Sequence, residues 1–449
     1  MAENEYLTVP HEKPYKYEEG NLTVTRGSAW TGPGCHLGCG VLLYTDEDGK
    51  LVKVEGDPEN PYNEGRLCVR CLALPEVTNH KDRLLYPMKR DPKDRGKNKW
   101  ERMSWDEAID YVADRFIEIR DKYGAETIIF GQGTGRDIAS WITRLAWSYG
   151  SPNYTCFALS GLACYLPRVA GMAATSGGYT VADCSQQFPD RYDNPNWRCP
   201  ELMVLWGNYP LRANSDGFYG HWMIDLMKRG MKIMMVDPRV TWLSLKAEEH
   251  LRLRPGTDAA LALGMMNVII NEDLYDHEFV EKWTTGFDVI AEHVQEWTAE
   301  RAAEICQIPV EDVIGSARLF ASGNSSAIQW GLAFDQNMSA MALNLAAVDL
   351  MAICGNIEKP GTHVLVHNSF DINAGYSSVD LYADPQALER KFRKWMVGDE
   401  GLDFVGMSNC DAMASVLEAG KIPATGEDYP IKMLYAQSCN AFAGHEGAA

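Results

Sequence analysis

From Thr23 to Val54 apolar and polar residues alternate around Gly32, Gly34, Gly38 and Gly40, and the chain turns at Asp46–Gly49 before Leu51, Val52 and Val54. A period of two, punctuated by glycine and aspartate, predicts a small β domain. A basic, proline-containing connector from His80 to Lys99 follows and marks a domain boundary. Ser104-Trp-Asp-Glu107 then reads as a capping box, in which the serine oxygen accepts a backbone N–H three residues on and the glutamate reaches back. Behind it Ala108, Ile109, Val112, Ala113, Phe116 and Ile117 recur at helical spacing, and Gly124 supplies the stop.

The pattern then changes to short apolar runs, each closed by a glycine turn and followed by an amphipathic stretch. Thr127–Phe130 is a buried strand before Gly131-Gln-Gly-Thr-Gly135 and a second helix. Leu202–Trp206 is a strand, Gly207-Asn208 a turn and Phe218–Lys228 a helix; Met231–Val236 is the next strand, ending at Asp237-Pro238-Arg239. Leu251–Arg254 adds a short strand before Pro255-Gly256-Thr257-Asp258 and a long helix from Ala259. Ile308–Ala321, Ala342–Ile353 and Pro430–Ala436 extend the alternation. Strands alternating with helices define an α/β fold with a doubly wound, Rossmann-like parallel sheet, whose ligand lies beyond the carboxyl ends of the strands.

Composition narrows the function. At 449 residues the chain exceeds one ordinary core, so two or more domains are expected. Its formal net charge of −20 argues against a nucleic-acid partner. No apolar run is long enough to span a bilayer, and Met1–Pro10 shows no secretory pattern, which predicts a reduced, cytoplasmic setting. The 13 Trp and 20 Tyr make disorder outside the ends improbable.

The chemistry begins with Cys35, Cys39, Cys68 and Cys71, two close pairs set among glycines. Two thiolate pairs wrap a metal centre, and spacing alone fits zinc and a four-iron cluster equally. The second signal is the set of strand ends. Carboxylates at Asp237 and Asp258 suit the edge of a purine or ribose, while Gly207 and Gly256 let backbone approach a pyrophosphate. Asp237 ahead of a proline also serves as a turn cap, and Asp258 as a helix cap.

Several motifs together then point to a family. Gly34-Cys-His-Leu-Gly-Cys-Gly40, Glu64-Gly-Arg-Leu-Cys68, Asp82-Arg-Leu-Leu-Tyr-Pro87, Trp100–Ala108, Trp206-Gly-Asn-Tyr-Pro210, Asp237-Pro-Arg239, Arg254–Asp258 and Gly355–Gly361 occur in one order. In that order they resemble the molybdopterin oxidoreductases of the dimethyl sulfoxide reductase family. The resemblance covers nearly the whole chain. Ala29–Val41 and Gly65–Pro75 are most similar to the catechol dehydroxylases, and the body resembles acetylene hydratase and, more distantly, pyrogallol transhydroxylase.

The resemblance implies a molybdenum or tungsten ion held by two pterin guanine dinucleotides, fed by a [4Fe–4S] cluster on Cys35, Cys39, Cys68 and Cys71. Gly207, Asn208, Asp237, Arg239, Gly256, Thr257 and Asp258 would line one dinucleotide. Arg70 would be the cation that eases electron passage from cluster to pterin. Gly32 stands where the family has its first cluster cysteine, and Cys71 where it commonly has glycine. The ligand to the metal is implied near Ser160, with Cys164 next and Cys156 third. The implied domains are a cysteine-rich unit at 1–80, α/β segments at 81–155 and 341–449, and a pterin-binding α/β domain at 156–340. The chain would stop short of the family's C-terminal β-barrel.

The implied activity is reductive removal of a hydroxyl group from a catechol or related small aromatic substrate, with electrons from an electron-transfer subunit or ferredoxin-like donor. His363, His367 and Asp335 are candidates for the proton donor. The alternatives are a non-redox hydratase or hydroxyl transferase, an inactive truncation, and a zinc-binding module.

Overall fold

The computed structural model describes residues 12–29, 38–133, 139–156, 166–178, 180–183, 199–212, 219–365, 416–422 and 426–439. The chain divides into two compact units, residues 1–157 with 373–449, and residues 158–372. Residues 341–372, expected with the first unit, fall in the second.

In the first unit β1 (Lys16–Glu19), β2 (Leu22–Ala29), β3 (Cys39–Thr45) and β4 (Leu51–Gly56) form an antiparallel meander in that order. Alternation puts Val24, Leu42 and Tyr44 in one apolar cluster and Ala29, Val41 and Val54 in another, with Cys71. The β3–β4 turn is built by Asp46, whose carboxylate accepts the N–H groups of Asp48 and Lys50. Helices α1 (Val69–Leu72) and α2 (Leu74–Thr78) pack on β4. After a two-residue ladder of β5 (Met88–Lys89) with β6 (Glu101–Arg102) comes α3 (Trp105–Tyr123), opened by the expected box. Ser104 Oγ accepts the Glu107 N–H at 3.2 Å, and Glu107 Oε2 accepts the Ser104 N–H at 2.8 Å. Gly124, at φ 97°, ends the helix in a conformation that only glycine takes without strain. The fully buried β7 (Ile128–Gln132) is the centre of a parallel sheet, with β8 (Tyr154–Cys156) beside it after α4 (Ala139–Tyr149) and β15 (Met433–Gln437) on its other side.

The second unit holds a parallel sheet in the order β12-β11-β10-β13, from β10 (Leu202–Trp206), β11 (Lys232–Val236), β12 (Glu249–Leu251) and β13 (Ser326–Trp330). The third strand lies earlier than expected, at Glu249–Leu251 in place of Leu251–Arg254, and past it Arg254 N–H donates to Cys306 O at 2.8 Å. Ahead of these strands comes α5 (Leu166–Ser176), and between them lie α6 (Tyr219–Lys228), α7 (Asp258–Asn271), α8 (His277–Trp283), α9 (Phe287–His293), α10 (Ala299–Cys306) and α11 (Val310–Ala321). With α12 (Ala340–Ile353), α7 is apolar all round and packs as an interior helix, through residues such as Leu261, Met265, Leu343 and Leu350. Among the described residues no helix is long and apolar enough to cross a membrane.

β13 is an edge strand, yet its outer amides are not bare. Asn356 Oδ1 accepts the Ser326 N–H at 3.1 Å, and His363 Nε2 accepts the Ile328 N–H at 2.7 Å. That acceptor role puts the ring proton on Nδ1, which donates to Asn356 O at 2.7 Å. His363 opens β14 (His363–Leu365), antiparallel to β9 (Thr180–Ala182). Complete burial of the ring pushes its pKa down to about 4, against the two backbone hydrogen bonds.

Because that value lies below the ordinary 6.5, folding favours the neutral ring. Its contribution is complete above pH 6.5 and is lost as pH falls through about 4. Chemical denaturation from pH 7 down to 4, for the parent and His363→Gln, is expected to show the parent's advantage shrinking by on the order of 3 kcal/mol. A pH-independent difference between the two would contradict this.

Candidate metal and cofactor sites

The cysteine site is framed by a loop that β3 and β4 hold in place. Asp57 accepts from the buried Arg26 guanidinium of β2 at Nη1 (2.5 Å), and Glu59 accepts from it at Nη2 (2.8 Å). Asn63, fully buried, fastens the loop to the strand. Its Oδ1 accepts the Gly40 N–H at 2.8 Å, and its Nδ2 donates to Gly40 O at 3.1 Å and Arg66 O at 2.9 Å. One side chain thus ties the residue after Cys39 to the residue two before Cys68. The approach is so close that a Cβ on Gly56 would stand 2.1 Å from Gly65 O. None of Arg26, Asp57 and Asn63 stands out in the sequence, since their partners lie 23 to 31 residues away.

Cys68 caps α1, and Cys71 lies one turn on, buried. The Cys71 thiol first, then the N–H groups of Cys71 and Arg70 and the Arg70 charge, hold the half-buried Cys68 thiol down at about 4, against a weaker opposing push from burial. Arg70, picked from the sequence for electron passage, thus acts electrostatically on the sulfur. Cys39 is buried at the start of β3, opposite Ala29. Cys35 lies outside the described residues. Among the described residues no three His, Cys, Asp or Glu side chains close on one metal. Of the expected quartet, the structure brings Cys68 and Cys71 together and anchors Cys39 through Gly40. A thiolate beside a second thiol is a donor pair that iron–sulfur and zinc centres both accept.

The second site follows from strand order. β10, β11 and β12 run one way from the centre and β13 lies on the other side of β10, so the switch point falls at the carboxyl ends of β10 and β13. There Gly331 N–H donates to Trp206 O at 2.8 Å, and Asn208 Nδ2 donates to Trp330 O at 3.0 Å. A Cβ on Gly331 would stand 1.9 Å from Gly207 O, so the two backbones touch. Sequence reasoning found Gly207 and Asn208 but missed Gly331, which does not sit in a recognised turn motif.

Next along the sheet, Asp237 is buried and accepts from Arg239 at N (2.8 Å), Nε (3.2 Å) and Nη2 (3.1 Å). This holds Arg239 as a fixed cation whose side chain is still 62% exposed. Gly256 has φ 88° and no protein atom within 4 Å of where a Cβ would stand, which leaves its backbone open to a ligand. Thr257 Oγ1 donates to Arg254 O at 2.6 Å. Asp258 is the first residue of α7, and its carboxylate accepts the Trp206 indole N–H at 2.9 Å. Burial pushes that carboxyl up from its ordinary value, against the Trp206 hydrogen bond. An open glycine backbone, a fixed exposed arginine and a strand-end crevice fit the phosphates of a dinucleotide.

The proton-donor candidates are not placed for that work. His363 has both ring nitrogens engaged in the core, and Asp335, fully buried, accepts from Arg168 Nη2 at 2.6 Å. That guanidinium also lies 3.6 Å from the Trp330 ring centroid. His367, Ser160 and Cys164 lie outside the described residues, as does the Cys156 side chain.

Fold and sites together define an α/β protein with an open strand-end crevice and a cysteine-bearing N-terminal domain. The Molybdopterin oxidoreductase Fe4S4 domain matches residues 32–80 and the Molybdopterin oxidoreductase family matches residues 83–417, and the chain belongs to that family. It therefore takes a molybdenum or tungsten molybdopterin cofactor and a four-iron, four-sulfur cluster, which settles the choice against zinc. The chain is 31% identical to acetylene hydratase of Syntrophotalea acetylenica over 92% of its own length and 56% of that protein's. It is 31% identical to the periplasmic nitrate reductase of Desulfovibrio desulfuricans (73% of this chain, 43% of that protein) and 29% identical to formate dehydrogenase H of Escherichia coli (81% and 51%). The solved acetylene hydratase from Pelobacter acetylenicus superposes with TM-score 0.74 at 27% identity, covering 93% of this chain and 57% of that one. The chain thus spans about half the length of these relatives.

Asn63→Ala would strand the buried Gly40 N–H and take from Gly40 O one of its two donors, the other being the Asp57 N–H. It is expected to cost about 2–4 kcal/mol in denaturant unfolding and to weaken iron retention about tenfold or more. Asn63→Asp, which keeps the acceptor but loses the donors, should fall between. Unchanged iron content in the alanine variant, measured per chain under anaerobic purification, would count against the frame.

Proposed function

We propose that the protein containing this chain is a molybdenum-dependent anaerobic oxidoreductase that removes a hydroxyl group from a catechol or related aromatic ring. Two electrons and two protons enter, the ring carbon–oxygen bond breaks, a carbon–hydrogen bond forms and water leaves. The observation that carries the redox reading is the Cys68–Cys71 pair, one turn apart at the start of α1 and inside the segment that the Fe4S4 domain matches, suited to a cluster that exchanges electrons with an outside donor. When bound, the pterin-held metal supplies the two-electron chemistry.

The chain's own residues bind and orient. Arg239, fixed by Asp237, meets a phosphate, while Gly207, Gly256 and Thr257 offer backbone to a pyrophosphate. Asn208 holds the β10 and β13 ends together beneath it. Asp258, already bonded to Trp206, fixes the start of α7 instead of reading a purine. Arg70 tunes the cluster thiolate. The ligand to the metal is assigned to Ser160 or Cys164, and the proton donor to a residue other than His363 and Asp335. The electron donor is a ferredoxin-like protein or a dedicated subunit.

A second reading, non-redox hydration, is favoured by the similarity to acetylene hydratase. Metal analysis and dye assays separate the readings. The redox proposal expects molybdenum or tungsten with about four iron atoms per chain, and oxidation of a reduced viologen when a catechol is added. Turnover of an alkyne with no dye oxidised would favour hydration. Zinc alone, with no pterin released on denaturation, would sink both.

A further inference from the structure

The basic connector noted in the sequence has no part in the sites above. Residues 81–102 carry nine Lys and Arg against four Asp and Glu, a formal +5 inside a chain of net charge −20. They begin just after α2, the helix that follows Cys68 and Cys71. The β5–β6 ladder folds the segment on itself, with Met88 opposite Arg102 and Lys89 opposite Glu101, and Met103 N–H donates to Pro87 O at 3.0 Å.

The charges in this segment are only partly spent. Asp91 pairs with Lys93 at 2.9 Å, and Asp94 with Lys97 at 3.3 Å and Lys99 at 3.6 Å. Among the described residues Lys81, Arg83 and Arg95 meet no carboxylate. Three more cations lie on ring faces: Arg90 on Trp100 at 4.7 Å, Arg102 on Tyr86 at 3.2 Å and Lys89 on Tyr111 at 4.0 Å. Stacking on a ring orients a cation without cancelling its charge. The same segment exposes Leu84, Leu85 and Trp100, at 75, 64 and 47%. Oriented Arg and Trp beside exposed leucines are the makings of a protein interface.

The geometry points to residues 81–102 as the docking surface for an acidic protein. Resting on the redox reading above, that protein is the electron carrier serving the cluster. Charge selects a protein over the other anionic macromolecules. The strongly negative remainder of the chain repels a long nucleic-acid backbone or an extended anionic bilayer, whereas a small acidic protein meets the patch alone. Steering by such a patch speeds encounter and is screened by salt.

A plant-type [2Fe–2S] ferredoxin serves as the acidic probe, with binding to the purified chain followed by biolayer interferometry. Lys81→Glu, Arg83→Glu and Arg95→Glu combined are expected to weaken binding about tenfold or more. The parent's binding should also weaken as salt rises from roughly 0.05 to 0.5 M. A control with the same change of net charge, Lys16→Glu, Lys50→Glu and Lys246→Glu, should bind like the parent. Circular dichroism should show both variants folded, since all three altered connector residues are exposed. Equal effects in the two triple variants, or none in either, overturn the surface. Parent protein that prefers anionic vesicles or duplex DNA to ferredoxin overturns the choice of partner. Cluster reduction is read separately with a reduced viologen, which needs no docking. Failure there removes the redox reading and leaves the binding result standing.

Discussion

Two side chains, Asn356 after α12 and His363 at the start of β14, take up the outer amides of β13, and the strand-end crevice of the second unit rests on that closure. A parallel strand with a bare edge invites another strand to add to it. Here the amides at Ser326 and Ile328 are already spent, so the sheet ends at β13 and the switch point between β10 and β13 stays where it is. The arrangement requires a neutral imidazole with its proton on Nδ1, and burial enforces that state. A residue that resembles a catalytic histidine in the sequence is therefore a piece of the scaffold.

The N-terminal domain solves a related problem with the same chemistry. Asn63 bonds Gly40 in both directions and still reaches Arg66, while Asn356 accepts the β13 amide on its side-chain oxygen and the His363 Nδ1–H on its backbone carbonyl. A carboxamide offers donor and acceptor together, which suits it to fastening irregular backbone where no ladder can form. Both asparagines are buried, so each of these bonds is shielded from water and costly to lose.

Local signals in the sequence were readable, and distant ones were not. The Ser104–Glu107 box, the Gly124 stop, the apolar strands β7, β10 and β11 and the turn at Asp237 depend on neighbours a few residues away, and they stand in the structure as expected. The cysteine spacing identified a metal site but left zinc and iron level; family membership decided between them. Asp258 looked like a ligand-facing carboxylate, and its partner Trp206, 52 residues away, could not be seen from sequence. Gly331 was missed for the same reason, because only the fold brings it against Gly207. His363 and Asp335 have the right chemistry for proton transfer, but their surroundings, set by contacts 35 and 167 residues away, assign them elsewhere.

The Asn63 fastening bears on how the protein matures. Its bonds join a carboxamide to backbone groups and use no sulfur, so the frame from Gly40 to Arg66 is shaped by ordinary folding. A frame fastened without sulfur does not need iron to form, so on this logic the polypeptide can fold first and the inorganic core enter afterwards. A cell short of iron would on this logic accumulate folded, cluster-free chains awaiting repair, not unfolded ones awaiting destruction.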